Sequence, residues 1–405
     1  MMRDGRAHEP GTIREILIVF VRLGLTSFGG PVAHLGYFRD EFVQRRGWIG
    51  DAAYADLVAL CQFLPGPASS QTGFAIGLLR GGWRGGLAAW AGFTLPSALL
   101  MLLFAYGAPA LGAGFGGGVI AGLKVFAVAI VAQAVFGMGR SLCPDAPRIT
   151  IMLAAMALLA LWPDPRAQLA AIAFGALSGL LLPQVAGPDG TPPAPERWRR
   201  PSGLPALGVF AALFVLVPLL VQAGLGGHTL ALFDAFFRAG ALVFGGGHVV
   251  LPLLEGAVVT PGWVSPEAFL AGYGAAQAVP GPLFTFAAYL GAVAGPEPSG
   301  AAGGLIALAA ISLPGLLLVA GMMPCWEGVR RRPRARAALA GVNAAVVGVL
   351  AQALYDPVFL KGIHGPGDLT LAAAAFLAIT VLRVPVWSAV IALALAGGLR
   401  GGFGL

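Results

Sequence analysis

Four short motifs rich in glycine and proline interrupt the apolar segments of this 405-residue chain. They are FGGP at 28–31, PGP at 65–67, FGGG at 244–247 and PGP at 280–282, termed here the first, second, third and fourth breaks. Each break sets a proline or glycine before a new apolar segment, and proline suits the first position of a helix. The free N–H groups and the positive dipole end at such a position attract anions. The breaks therefore predict an oxyanion site; helix kinks that only help packing are the alternative. The candidate ligands within the breaks are Gly29, Gly30, Pro31, Gly66, Pro67, Gly246, Gly247, Gly281 and Pro282.

Polar side chains near the breaks extend the candidate site. Arg22 and Arg238 each precede a break by six residues, inside apolar segments where an arginine usually faces a partner or a substrate path. The planar guanidinium suits an oxyanion better than an ammonium group does. Pairing with an acid such as Glu41, Asp56 or Asp234 is the alternative. The other polar candidates follow the breaks or interrupt an apolar helix: His34, Ser69, Ser70, Gln71, Lys124 and His248.

Two glutamates are the candidates for carrying a coupling ion. Glu41 and Glu255 each follow a break of the FGG type, and a carboxylate there could carry a proton. An ion pair is the commoner role for either side chain.

The composition places the chain in a lipid bilayer. Hydrophobic residues make up 58% of the chain and charged residues 11%, with a mean hydropathy of +0.83. Soluble domains carry about 25% charged residues, so a soluble enzyme, a nucleic-acid binder and a disordered scaffold are all excluded. Cys61, Cys143 and Cys325 show no paired spacing for a metal or a disulfide, and we expect no cofactor. The first 15 residues are polar, and the apolar run that follows them contains Arg22, so this region does not fit a removable signal peptide. We therefore expect insertion in an inner or plasma membrane.

The apolar runs predict two kinds of helix. Segments of about 14 residues between the breaks, in 12–80 and 229–294, would be only about 21 Å long as helices. A hydrocarbon core is about 30 Å thick, so these segments are expected to be broken or re-entrant helices. The longer runs predict spanning helices at 85–107, 116–139, 148–162, 167–183, 203–224, 300–321, 337–355, 368–382 and 385–400.

The chain contains an internal repeat. Aligning Phe28 with Phe244 also aligns the two arginines, the FGG motifs and the two PGP motifs. With small gaps, Leu95-Pro96 then meets Leu313-Pro314, and the Ala-Gln-Ala sequence at 132–134 meets the one at 351–353. The matches keep their order along both copies, which chance does not explain.

The two copies are predicted to have opposite orientations. The loop RRRPRAR at 330–336 corresponds to the uncharged stretch 108–118, and RGGWR at 80–84 corresponds to 294–303, which contains no base. Basic loops stay on the cytoplasmic side, so corresponding loops lie on opposite faces. The unpaired helix 203–224 would supply the odd crossing.

The predicted fold is therefore an all-α integral membrane protein with two inverted repeats, broken helices and one extra transmembrane helix. Its expected parts are an N-terminal repeat at 1–183, a linker with the extra helix at 184–228, and a C-terminal repeat at 229–405. This architecture is typical of secondary transporters, which bind substrate near the membrane midplane. The chain has no nucleotide-binding P-loop and no catalytic constellation, and a passive anion channel is the alternative.

Two long motifs resemble the signatures of the chromate ion transporter family in its long, two-domain form. They are TSFGGPVAHLGYFRDEFVQRRGW at 26–48 and the segment from FGGGHVVLPLLE to AVPGPLFTFAAYLGA at 244–292. The resemblance implies chromate export from bacteria, coupled to an ion such as a proton, by two homologous halves of opposite orientation. Sulfate or a related tetrahedral oxyanion is the alternative substrate. Assembly into a homodimer is a further alternative that the sequence does not decide. The motif residues matched are Arg22, Phe28, Gly29, Gly30, Pro31, His34, Arg39, Glu41, Arg45, Trp48, Pro65, Gly66, Pro67 and Gln71.

Overall fold

A computed structural model describes residues 12–28, 30–108, 112–162, 164–182, 203–244, 247–330 and 332–403. These residues form helices and turns, and no strand occurs among them. The expected all-α membrane fold is thereby confirmed. Five helical stretches are long and apolar enough to cross a bilayer: Ala68–Gly107, Gly114–Leu142, Leu204–Gln222, Gly300–Cys325 and Pro333–Gly362.

The N-terminal half begins with short helices and continues with long ones. The side chain of Thr12 accepts a hydrogen bond from the backbone N–H of Glu15 and caps the first helix, as a helix N-terminus requires. Wide helical turns occur at Arg39–Arg45 and Gly112–Gly116. The helices are α1 (Ile13–Thr26), α2 (Gly30–Phe38), α3 (Asp51–Phe63), α4 (Ala68–Gly107), α5 (Gly117–Leu142), α6 (Ala146–Leu161) and α7 (Pro165–Gly179).

The C-terminal half repeats this order after one additional helix, α8 (Leu204–Gln222). Single 3-10 turns stand at Gly247–Val249, Leu283–Thr285 and Met323–Cys325, and wide turns at Glu255–Val259 and Leu354–Phe359. The remaining helices are α9 (Gly227–Ala241), α10 (Val250–Leu254), α11 (Pro266–Ala278), α12 (Phe286–Val293), α13 (Gly300–Met322), α14 (Trp326–Arg330), α15 (Pro333–Ala353), α16 (Leu360–Gly362), α17 (Pro366–Thr380) and α18 (Val386–Phe403).

Each predicted spanning segment coincides with a helix, and the segments around the breaks form short helices. One region differs from the expectation. In the N-terminal half, the helix after the second break continues into the next one as α4, with non-helical backbone at Gly81 and Gly82. In the C-terminal half, α12 and α13 are separated by a loop. Most of the predicted linker lies outside the described residues, so the boundaries at 183 and 228 stay predictions.

Two helix pairs have the same contact in both halves. α1 packs against α4 and α9 packs against α13. Gly24 lies against the backbone oxygen of Phe93, where a Cβ would come within 2.8 Å, and Gly240 lies closer still to Ile311 O. Glycine is required at both positions because the helix backbones touch.

The last long helix of each half packs against the central helix of the other half. α7 contacts α15, and α18 contacts α5. Glycines line both contacts: Gly175 meets Gly341, and Gly122 meets Leu393 O on α18. Small residues allow this close approach in membrane helices. The two halves therefore interlock through these helices.

Candidate functional site

The four breaks meet through two reciprocal backbone hydrogen bonds. Gly66 N, in the second break, donates to Val243 O beside the third break, at 2.7 Å. Gly281 N, in the fourth break, donates to Ser27 O beside the first break, at 2.8 Å. Sequence alignment of the halves pairs Gly66 with Gly281 and Ser27 with Val243, so one bond repeats the other. The third break also touches the first and fourth, since Gly247 adjoins the side chains of Pro31 and Leu283.

Glycine is required at the centre of both PGP motifs. Gly66 has φ +124° and Gly281 has φ +100°, backbone conformations that other residues rarely adopt. A Cβ at Gly66 would lie 2.8 Å from Gln71 Nε2 and 3.2 Å from Gly315 Cα. A Cβ at Gly281 would collide with Ser97 Oγ. The hydroxyl of Ser97 donates to Pro280 O, and this bond ties α4 to the fourth break.

A buried polar group fills the N-terminal side of this junction. We call it the polar cluster: Ser27, His34, Ser69, Ser70, Gln71 and Thr72, each at most 5% exposed. His34 Nε2 donates to Ser27 O at 3.1 Å, because a carbonyl oxygen only accepts. His34 Nδ1 lies 3.4 Å from Ser69 Oγ, which donates to it in the neutral ring. The imidazole thus links the first break to the first turn of α4.

Gln71 is held in one orientation by two carbonyl groups. Its Nε2 donates to Pro65 O at 2.8 Å and to Gly315 O at 3.3 Å. The opposite amide assignment would place Oε1 against both carbonyl oxygens, so the hydrogen bonds fix the amide. Gln71 Oε1, Ser27 Oγ and Thr72 Oγ1 are buried and have no hydrogen-bond partner among the described residues. Buried polar atoms usually have a hydrogen-bond partner, so each of these three atoms is a candidate contact for a ligand.

Free backbone donors add to the cluster. α4 starts at Ala68, directly after Pro67, and its N–H groups up to Ser70 precede the first intrahelical bond, from Gln71 N to Pro67 O. α2 starts at Gly30, with Pro31 in its first turn. In the C-terminal half, Gly247 begins a single 3-10 turn and Pro282 precedes another. Regular helix N-termini, with their anion-attracting dipoles, therefore follow only the first two breaks. Gly29 and Gly246 lie outside the described residues.

The corresponding positions of the C-terminal half are mostly apolar. Phe284 and Phe286 occupy the places of Ser69 and Gln71 and are fully buried. His248 is half-buried, and its Nδ1 lies 2.7 Å from the hydroxyl of Tyr273 on α11. The C-terminal half thus offers a separate histidine–tyrosine pair in place of a polar cluster.

The two predicted arginines do not lie in the polar cluster. Arg22 is exposed, on the face of α1 that also exposes Ile18 and Leu25, and it has no ion-pair partner among the described residues. Arg238 pairs with Asp234, Nε to Oδ1 at 3.2 Å, and its guanidinium lies 5.9 Å from the ring centre of Phe214. Of the two roles considered for these arginines, binding an oxyanion or pairing with an acid, Arg238 therefore has the second.

Arg238 also lines a cleft of about 200 Å³ between α7, α9 and α10. The cleft reaches Leu242, at the end of α9 just before the third break. Gln168 on α7 belongs to its wall and donates to Pro252 O at 3.0 Å. The other lining residues are Leu169, Ala235, Ala239, Leu253, Gly256 and Ala257.

The predicted carboxylates and Lys124 lie in other surroundings. Glu41 accepts from Arg45 at 2.9 Å and from Arg46 at 2.6 Å, and Arg46 also binds Glu15. Glu255 is half-buried, next to the cleft residue Gly256. Lys124 is half-buried on α5 and has no ion pair among the described residues.

The charged part of the first long motif has a structural role. Arg39 binds Asp51 at 2.8 Å, and Trp48 stacks on Phe42 with ring centres 5.0 Å apart. The guanidinium groups of Arg46 and Arg80 lie over the ring of Trp48. These contacts fasten the turn after α2 to α3 and α4 at a distance from the breaks.

Sequence reasoning missed Ser27, Ser97 and Tyr273 at the junction. Ser27 stands directly before the first break, so its position was the available signal. Ser97 follows the aligned Leu-Pro pair, but its counterpart is Gly315, and the repeat gave no reason to select it. Tyr273 lies inside an apolar helix, where only the fold brings it to His248.

Broken helices that meet inside a bundle of spanning helices define a multi-pass membrane protein of the transporter type, because exposed backbone is tolerated there only around a protein-lined or water-filled path. The chain belongs to the chromate transporter family: the family model matches residues 14–180 and again 230–399. This is a family of transporters and not of enzymes.

Curated relatives extend over most of the chain. A probable chromate transport protein of Synechococcus elongatus is 28% identical over 88% of this chain and 89% of its own length. Chromate transport proteins of Pseudomonas aeruginosa and Cupriavidus metallidurans are each 27% identical, covering 96% and 85% of this chain and 93% and 82% of their own lengths. No solved structure matches the chain. The protein is thus a multi-pass bacterial membrane protein.

Proposed function

We propose that this protein exports chromate across the bacterial inner membrane as an ion-coupled secondary transporter. The substrate class is supported by the family and by relatives named as chromate transport proteins. The observation that carries the proposed site is the junction of the four breaks, where two reciprocal hydrogen bonds adjoin buried donors without partners.

The polar cluster has the chemistry for a tetrahedral oxyanion. The hydroxyls of Ser27 and Thr72 and the free N–H groups of Ala68–Ser70 supply short-range donors. Hydrogen bonds to a charged acceptor are stronger than those between neutral groups. The proposed ligand positions at the junction are therefore those of the first two breaks together with His34, Ser69, Ser70 and Gln71, while Gly247, Gly281 and Pro282 close the other side.

We further propose that the two halves are inverted repeats that alternate access around this junction. Support comes from the reciprocal bonds at aligned residues and from the opposite basic content of aligned loops. Alternating access moves one repeat against the other around a fixed site. Gly66–Val243 and Gly281–Ser27 would be the contacts about which such a movement turns.

The exposed or cleft-lining arginines fit the approach path better than the site itself. Arg238 lines the cleft that reaches the residue before the third break, and Arg22 holds the aligned position on the exposed face of α1. Charges placed along a path concentrate ions of opposite sign and speed their entry. Glu255, half-buried beside the cleft, is the better-placed carrier for a coupling proton, since Glu41 is occupied by two arginines.

Everted membrane vesicles provide the direct test. With the protein present at verified abundance and a proton gradient imposed, vesicles should accumulate chromate above the outside concentration, and dissipating the gradient should abolish the accumulation. Uptake that only equalises the two concentrations would indicate a channel. Accumulation of sulfate in place of chromate would contradict the proposed substrate.

A further inference from the structure

The long helix α4 folds back on itself between its two parts. Its backbone leaves the helical conformation at Gly81 and Gly82, and Gly82 has φ +63°. A Cβ at Gly77 would collide with Gly85 O, although residues eight positions apart lie about 12 Å apart along a continuous helix. The segments before and after the turn therefore pack side by side as a hairpin. We call its turn, RGGWR at 80–84, the hairpin tip.

The C-terminal half has the same hairpin with a different tip. α12 and α13 pack side by side in the same way, since a Cβ at Gly291 would collide with Gly303 O. The loop between these helices contains Glu297, whose carboxylate accepts hydrogen bonds from the N–H and the hydroxyl of Ser299. It contains no lysine or arginine. Of the two corresponding turns, only the hairpin tip of α4 is therefore cationic.

Contacts with α1 and with Trp48 hold the hairpin tip in place. The guanidinium of Arg80 lies 4.8 Å from the ring centre of Trp48, and that of Arg46 lies 5.3 Å from the same ring. A Cβ at Gly81 would lie 3.2 Å from Cδ1 of Ile13, at the start of α1. The hairpin tip, the first turn of α1 and the turn before α3 thus meet at one place.

The cations at this place are unequally neutralised. Arg46 donates to two glutamates, at 2.6 and 3.1 Å, so its charge is balanced. Arg80 has no ion pair among the described residues, and its Nε is buried without an acceptor there. Arg84 on the hairpin tip and Arg14 in the first turn of α1 are exposed and also have no ion pair in the described part of the chain. The hairpin tip thus carries positive charge that the described residues do not neutralise.

Exposed apolar side chains border these cations. Trp83 is 49% exposed, although its ring packs edge-on against Phe74 with centres 5.9 Å apart. Ile13 and Leu17 are exposed on α1, and Leu87 is exposed on the arm of the hairpin that packs against α1. Tryptophan is enriched where a membrane meets water, and basic loops lie on the cytoplasmic side. The surface therefore combines cations with apolar groups at the height of lipid headgroups.

We propose that the hairpin tip binds the headgroup of an anionic phospholipid in the cytoplasmic leaflet. The guanidinium of Arg80, held by the ring of Trp48, donates to the phosphate, whose geometry suits a planar fork. Arg14 and Arg84 add to the attraction, because basic residues near the membrane surface favour anionic lipids. The acyl chains lie along the exposed apolar side chains of α1 and α4.

The headgroup's own charge decides which lipid the hairpin tip prefers. A zwitterionic lipid has the same phosphate but also carries a cation, which the three unpaired arginines repel. An anionic lipid lacks that cation and neutralises part of their charge. Because the corresponding turn of the C-terminal half has no base, this contact fastens only the N-terminal half to the cytoplasmic surface.

Lipid binding to the purified full chain tests the proposal directly. The protein in a neutral detergent is titrated with phosphatidylglycerol or phosphatidylcholine, and the bound lipid is counted by native mass spectrometry. The wild-type protein should bind phosphatidylglycerol at least tenfold more tightly, since each basic residue near the headgroup contributes about fivefold. Equal affinities for the two lipids would overturn the proposal.

Arginine variants locate the binding. Arg80→Gln should weaken phosphatidylglycerol binding about tenfold or more, as expected for a lost hydrogen bond to a charged group. Arg84→Gln should weaken it about fivefold, and this exposed position keeps the test valid even if the Arg80 variant fails to fold. The matched control is Arg334→Gln, which removes one exposed arginine from another basic loop. Wild-type affinity in Arg84→Gln, or equal weakening by Arg334→Gln, would overturn the proposal.

Soluble anions distinguish a lipid from a free phosphate. Inorganic phosphate or chromate in tenfold molar excess should leave bound phosphatidylglycerol in place, because neither ion has acyl chains to contact the apolar side chains. Displacement of the lipid by either ion would identify a site for a soluble anion and overturn the proposal. These measurements require no transport, so their outcome is independent of the proposed function.

Discussion

The breaks of the N-terminal and C-terminal halves have the same backbone geometry but different side chains. Gly66 and Gly281 make equivalent hydrogen bonds, and both have positive φ angles. Around the first two breaks lie six buried polar residues, whereas Phe284 and Phe286 stand at the equivalent positions of the other half. Duplication therefore preserved the junction that holds the helices together, while the chemistry that suits a ligand is concentrated in one half.

The largest expected contrast is topological. With the native cysteines replaced, single cysteines at the exposed positions Phe115 and Arg334 should react with an impermeant thiol reagent from opposite sides of the membrane. The physical reason is the opposite basic content of these aligned loops. Labelling is compared in intact cells and everted vesicles. Reaction of both cysteines from one side would mean that the halves are parallel and would remove the proposed alternating access.

The shared backbone geometry should make two glycine variants equally severe. Gly66→Ala and Gly281→Ala should both reduce chromate uptake to the level of empty vesicles, because each adds a Cβ to a strained, crowded position. Gly36→Ala is the control, since Gly36 has open space around it. Uptake is measured at equal membrane abundance. A tolerated change at either glycine would show that the halves do not depend on their junction alike.

The different side chains should make two histidine variants unequal. His34→Ala should lower the uptake rate about 10- to 100-fold, because it removes one of the two hydrogen bonds to Ser27 O and the partner of Ser69 Oγ. His248→Ala should cost only a few-fold. His364→Ala, at an exposed side chain, provides the baseline. Equal losses at His34 and His248 would mean that both halves bind the substrate.

The smallest expected effects concern the two arginines. Arg22→Gln and Arg238→Gln should each lower uptake a few-fold at low ionic strength and less at high ionic strength, where salt screens charges along the path. Arg22→Lys should keep most of the rate, since a steering role needs charge and not a planar fork. The control is Arg140→Gln, an arginine beside Phe136 at the end of α5. An Arg22→Lys variant as inactive as Arg22→Gln would return Arg22 to the binding site.

The hydropathy pattern and the positions of glycine and proline were sufficient to predict the helices of the fold. α8 and α13 are apolar runs of spanning length, and the Gly-Pro motifs mark the ends of α1 and α3 because few other residues allow such turns. The first turn of α4 was likewise a candidate from its position after the second break. These features depend on local sequence, which the chain shows directly.

The position of Arg22 could have been predicted from the sequence. Arg14, Arg22 and Thr26 share one face of α1, opposite the buried residues Phe20 and Leu23. This periodicity places Arg22 on the exposed face of the helix, and an arginine inside an apolar segment is not thereby a site residue. The partners of α7 and α18 could not be predicted, because small residues show that a helix packs closely but do not identify its neighbour.

The interlocking of the halves also constrains how the protein is made. α5 belongs to the N-terminal half, whereas the helix that covers its glycine face, α18, is synthesised only after α6 to α17. Until then Gly118 and Gly122 face lipid or an insertion partner. A nascent chain that stops before α18 would carry an unfilled groove, which membrane quality control can recognise. The contact between α5 and α18 thus forms only after the helices between them have been synthesised.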